Sequence, residues 1–220
     1  MSALVRMRLA AFWRSGRIAP PTLLAIAVIA TLYGGGAVAP GEGYGLSSFV
    51  LVPVLAWQTK LLLDTEPDVA RRLATVAVGR RREVAAGLIA AALVAVVTAV
   101  LALALPWLFG GIAGHLHLRL GIWAQFAAVP PALALGALTS RVVTRTTGYG
   151  ALALVGGWIL IVVLGLPRSP VPWLGPPLMA VARTAGRHTQ LASVLGLSAW
   201  MLGWTLVAGV AYVTVRRTRI

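Results

Sequence analysis

The sequence predicts an all-α membrane protein with six transmembrane helices, and three observations predict it. The 220 residues are 59% apolar and 11% charged, with a mean hydropathy of +0.89, more apolar surface than one soluble core can hide. The apolar residues gather into six runs, each near the roughly 20 residues that a helix needs to cross a bilayer. The basic residues fall between these runs and alternate in density, fifteen of nineteen on one side. By the positive-inside rule that side is the cytosol, so both termini are expected there. The chain therefore reads as a single transmembrane domain, residues 1–220.

Composition also excludes several functions. A net charge of +14 would suit nucleic acid, but the arginines punctuate apolar segments instead of forming one stripe, so no nucleic-acid partner is expected. With no cysteine there is no disulfide framework, thiolate nucleophile or thiolate metal site. Arginine outnumbers lysine eighteen to one, and alanine, glycine and valine abound, a pattern of GC-rich bacterial coding. The expected location is a bacterial plasma membrane.

Residues 1–17 form a basic beginning in which Val5, Leu9 and Phe12 share a helical face beside Trp13, with Arg6, Arg14 and Arg17 on another side. Such a helix is expected to lie along the membrane surface. The first span is 18–38, with Pro20 and Pro21 in its opening turn, where proline is tolerated. Ala37, Val38 and Ala39 form an A-x-A, but the apolar run before it exceeds that of a signal peptide, so it is expected to remain a span. Pro40 to Gly45 reads as a connection, and Gly41-x-x-x-Gly45 as turn glycines.

The second span is 46–63, with Pro53 inside it and Lys60 expected to snorkel outward. The third, 84–109, is built of Ala, Val and Leu, small enough for close helix approach. Gly110 to Gly121 reads as a solvated loop, in which His115 and His117 lack a third ligand. The fourth span, 122–140, should kink at Pro130 and Pro131. The fifth is 148–166 and the sixth 191–215; between them, 167–190 is a proline-rich outer connection, re-entrant or interfacial, with a helix-compatible run from Leu178 to Thr184.

Between the second and third spans lies DTEPDVARRLATVAVGRRREV, with four of the five acidic residues and five basic ones. Pro67 suits a first helical turn, Thr65 or Asp64 an N-cap, and Gly79 a stop. At 100° per residue Val69, Leu73 and Val76 share a face with Ala70 and Ala77, while Asp68, Arg71, Arg72 and Thr75 fall opposite. A short helix of this kind either rests on lipid headgroups or inserts into a cytosolic partner.

The chain contains no GxxxxGK[ST], HExxH or GxSxG motif, and no Asp, Glu or His sits in the middle of a span. An ion-coupled carrier is therefore disfavoured, since such carriers place ionisable groups along the pathway. In layout, and in RRLATVAVGRRREVAAG (Arg71 to Gly87), the chain resembles the membrane permease subunit of type-2 ATP-binding-cassette (ABC) exporters. Val78 and Gly79 stand where many members of that family have proline.

The resemblance implies that residues 66–78 are a coupling helix seated in a separate ABC ATPase subunit. Asp68, Arg71 and Arg72 would fix its register, while Val69, Leu73 and Val76 fill the groove. It further implies two ATPase copies holding ATP and Mg, no cofactor bound by this chain, and a second permease subunit. The path would be lined mainly by the second and fifth spans, with Gln58, Thr59, Tyr149 and Trp158 as candidates. The implied cargo is apolar or amphipathic, and membrane lipid is a further partner. A non-transporting membrane scaffold and an intramembrane enzyme are the alternatives.

Overall fold

The computed structural model describes residues 1–166 and 168–219. Eleven helices follow in order: α1 (Ser2–Arg14), α2 (Ala19–Tyr33), α3 (Pro40–Thr65), α4 (Asp68–Val78), α5 (Arg80–Leu108), α6 (Leu118–Ala127), α7 (Val129–Leu138), α8 (Arg141–Thr144), α9 (Thr147–Leu164), α10 (Leu178–Ala185) and α11 (Leu191–Arg219). A 3-10 turn at Pro172–Leu174 precedes α10. Among the described residues the one β-type pairing is a parallel bridge between Val38 and Ile112.

Among the described residues five stretches are long and apolar enough to cross a membrane: α3, α5, α6 through α8, α9 and α11. A sixth arises if α1 and α2, bent by 76° to each other, count as one. α2 has 15 residues, about 22 Å of helix, and ends at Gly34, so the first span is shorter than the predicted 18–38. The fourth span is split between α6 and α7 at Ala128, because Pro130 and Pro131 have no N–H for the helical ladder. Pro167, the predicted start of the outer connection, and Ile220 lie outside the described residues.

α3 is the hub, packed against α2, α5, α6, α7 and α10. It is longer than the predicted 46–63, because the supposed connection Pro40 to Gly45 is its first turn and a half. Here Gly41 and Gly45 are packing glycines and not turn residues. A Cβ on Gly41 would collide with the Ala185 carbonyl, and one on Gly45 with that of Ala182, so the small-xxx-small pair lets α10 lie against the helix. Gly110 and Gly114 do mark turns, with φ of 69° and 71°. Gly45→Val is accordingly expected to force α10 away and lower stability by about 1–3 kcal/mol, read as a depressed unfolding temperature in detergent. An unchanged midpoint would remove this contact from the fold's support.

α5 turns its small residues inward and its large ones outward. Ala86, Ala90, Ala91, Ala95, Ala99 and Ala102 are buried, while Ile89, Leu93, Val97 and Val100 are exposed. With Leu152, Val155, Ile159 and Leu160 of α9 and Leu202, Leu206, Val207 and Val210 of α11 they form an apolar exterior that fits a bilayer. In lipid, association depends on close packing and hydrogen bonds, so small residues inside are what such a bundle requires.

Candidate functional site

The turn after α3 brings four of the chain's five acidic residues, Asp64, Glu66, Asp68 and Glu83, to one end of the bundle. Glu66 and Pro67 are extended (ψ 125° and 150°), which ends α3 and restarts the chain as α4. Thr65 donates to the Leu61 carbonyl within α3 and Pro67 stands at the N-cap of α4, so neither Thr65 nor Asp64 is the predicted cap. Asp64 instead serves other partners. One carboxylate oxygen accepts from Lys60 Nζ at 2.7 Å, the other from the Arg141 backbone N–H at 2.6 Å, and its carbonyl accepts from Arg17 at 3.2 Å. A carboxylate on the first N–H of α8 is favoured by the unpaired amides there. Lys60 is 4% exposed and paired, so it does not snorkel, and Gly150 of α9 leaves the space in which its side chain lies.

A second set of ions joins α1, α5 and α11. Glu83, 1% exposed, accepts from Arg8 Nη2 at 2.5 Å on one oxygen and from Arg216 Nη2 at 2.6 Å on the other. Arg8 also reaches Glu66 at 2.5 Å and the Glu83 carbonyl at 3.0 Å. Arg216 takes a hydrogen bond partner in the Tyr212 hydroxyl, and its carbonyl accepts from Arg80. Gly87 admits the Arg8 guanidinium, since a Cβ there would run into its Nη1. Buried ions of this kind persist only when paired and hydrogen-bonded, so these contacts fix how α1, α5, α11 and the turn at Glu66 meet.

α4 sits on this network with Arg71 turned inward and Thr75 half-buried beside it. Arg71 is 7% exposed and donates to the carbonyls of Leu63 at 3.0 Å and Glu66 at 3.4 Å, and to Asp68 at 3.3 Å. Burial and the like charge of Arg216 lower its pKa from the ordinary value, against the pull of Asp68, Glu83 and Glu66. Arg71, expected to help fix register in a partner, is here turned toward the chain's own carbonyls, which a soluble-helix wheel does not anticipate. Asp68 bonds Arg141 at 3.2 Å and remains largely exposed, as does Arg72. The apolar stripe is left outside, with Val69 71%, Leu73 66% and Val76 87% exposed.

The structure does not gather the four path candidates. Gln58 is buried at the contact of α2, α3 and α5, accepting from Thr98 at 3.0 Å and donating to Thr22 at 3.4 Å. Thr59 is buried against Gly136 of α7 and donates to the Leu55 carbonyl. Tyr149 is exposed near the start of α9, and Trp158 packs on Phe49 with ring centroids 4.9 Å apart.

At the opposite end His117 meets His188 edge-on at 4.6 Å, while His115 stacks on Trp107. Among the described residues no three His, Cys, Asp or Glu side chains are placed to hold a metal. Arg8 and Glu83, the centre of the buried network, escaped sequence reading. The available signal was that Arg8 shares a helical face with Val5 and Phe12. No protein-family model, curated protein or solved structure matches the chain.

Proposed function

We propose that this chain is the permease subunit of an ABC exporter, with α4 as the element that receives work from a separate ATPase. The observation carrying the reading is the exposed ridge of Val69, Leu73 and Val76 on a helix held from behind by the buried Arg71 and by the Asp68–Arg141 pair. Three adjoining apolar side chains at this exposure form a surface suited to a groove in a partner. A push on that ridge would pass through Arg71 to the end of α3, through Asp68 and Arg141 to α8, and through Glu66 and Arg8 to α1.

The same reading places the arginine-rich end in the bacterial cytosol and leaves ATP and Mg to the ATPase. A second permease copy would stand against α9, whose outward residues include Tyr149, Leu152, Val155 and Ile159. Tyr149 and Trp158 then flank an apolar path for an apolar or amphipathic cargo. Gln58 and Thr59 would join it only when α3 parts from α5 and α7. Vesicles containing the chain and the ABC ATPase proposed as its partner are expected to hydrolyse ATP faster when cargo is present. A rate indifferent to every apolar cargo tried, and to the presence of this chain, would turn the reading toward a scaffold.

A further inference from the structure

Behind the ridge, α4, α8 and the last turn of α11 enclose a cleft of about 860 Å³. Its walls carry Arg72, Arg141 and Arg145, with Asp68 as the one acidic side chain, and Asp68 is already shared by Arg71 and Arg141. Among the described residues neither Arg72 nor Arg145 has an acidic partner, and Arg141 Nε is buried without a hydrogen bond. Arg145 also occupies a left-handed position (φ 68°) after α8, where glycine is cheaper by roughly 1–2 kcal/mol. A strained backbone that presents a cation to a cleft invites a functional reading.

We propose that this cleft binds the phosphate of an anionic phospholipid headgroup, held by Arg72, Arg141 and Arg145. Val142 supplies an apolar wall, Val76 of the ridge borders the mouth, and Thr218 stands at the rim. The exposed Leu206, Val207 and Val210 lie about two to three turns before Thr218 on α11, apolar surface on the same helix for acyl chains to follow. A lipid explains both features together, whereas a soluble anion would use the arginines alone. The site also lies on the arginine-rich end, where an anionic leaflet meets the protein. A lipid seated there would brace α4 against α8, so the inference concerns the membrane around the chain and stands whatever cargo is moved.

The full-length chain, placed in phosphatidylcholine nanodiscs with phosphatidylglycerol as the anionic probe, tests this by native mass spectrometry. The wild type is expected to retain phosphatidylglycerol in preference to phosphatidylcholine. R72Q/R145Q should lower that retention about tenfold, and R145K should keep most of it. Unfolding temperatures of R145Q and R145K separate lost binding from lost fold. Indifference of the wild type to lipid charge would overturn the proposal, as would release of the lipid by inorganic phosphate, which would mark a soluble-phosphate site. Unchanged lipid retention in R72Q/R145Q, with loss of ATPase co-purification, would assign the arginines to the protein partner and overturn it as well.

Discussion

Glu83→Ala is expected to destabilise the folded chain by about 3–5 kcal/mol, because it takes a carboxylate from two buried guanidinium groups at once and leaves that of Arg216 with none. Glu83 holds Arg8 and Arg216, which are 8% and 3% exposed, and the three come from helices far apart in sequence. Arg8 retains Glu66 in the variant, while Arg216 retains the Tyr212 hydroxyl and no carboxylate. The loss is large beside a typical total stability of about 5–15 kcal/mol, and for a chain of this length it amounts to roughly 10 °C in unfolding temperature. Glu83→Ala with Arg216→Met should recover part of it, since removing both partners is far cheaper than removing one. Glu42→Ala, exposed at the other end, should shift stability by less than about 0.5 kcal/mol. If Glu83→Ala unfolds at the wild-type temperature, the ionic clamp is not what joins α1, α5 and α11.

Much of the fold was legible because bilayers impose a simple rule: long apolar runs become helices. The break at Pro130 and Pro131 followed from a missing donor, and the stop at Gly79 from its freedom to adopt φ 84°. What sequence reading missed shares one cause. Gly41 and Gly45 look like turn residues by propensity, yet tertiary contact with α10 makes them helical, the packing outweighing roughly 1 kcal/mol of intrinsic cost for each glycine.

The same cause explains the charges. Lys60 was expected to snorkel, as charged side chains near helix ends usually do, Arg71 was expected to fix register in a partner, and Arg8 was given no role. Their partners are 4, 8 and 75 residues away respectively, namely Asp64, Leu63 and Glu83. The local i,i+4 pair of Lys60 and Asp64 was visible in the sequence. The distant partnerships were not, since periodicity says which face a residue occupies and nothing about what stands opposite. The glycines that make room for these cations, Gly87 and Gly150, were equally silent for that reason.

Leu73→Glu and Val76→Glu are expected to abolish capture of the ATPase subunit while leaving this chain folded. Both side chains point outward, so the fold should lose less than about 0.5 kcal/mol, whereas a carboxylate pressed into an apolar groove without a partner costs about 3 kcal/mol or more. That penalty corresponds to a rise in Kd of at least roughly a hundredfold, measurable by titrating the ATPase onto the purified chain in nanodiscs. Arg72→Gln, beside the ridge, should have a smaller effect, because a rim charge mainly alters the association rate. A lipid-resting ridge predicts a different pattern: the two glutamates would weaken the hold of α4 on the membrane, detected as faster amide exchange along Asp68–Val78, with ATPase affinity unaltered. Wild-type affinity in both glutamate variants would therefore remove α4 as the receiver of work. Loss of affinity with unchanged exchange would identify Val69, Leu73 and Val76 as the surface the motor grips.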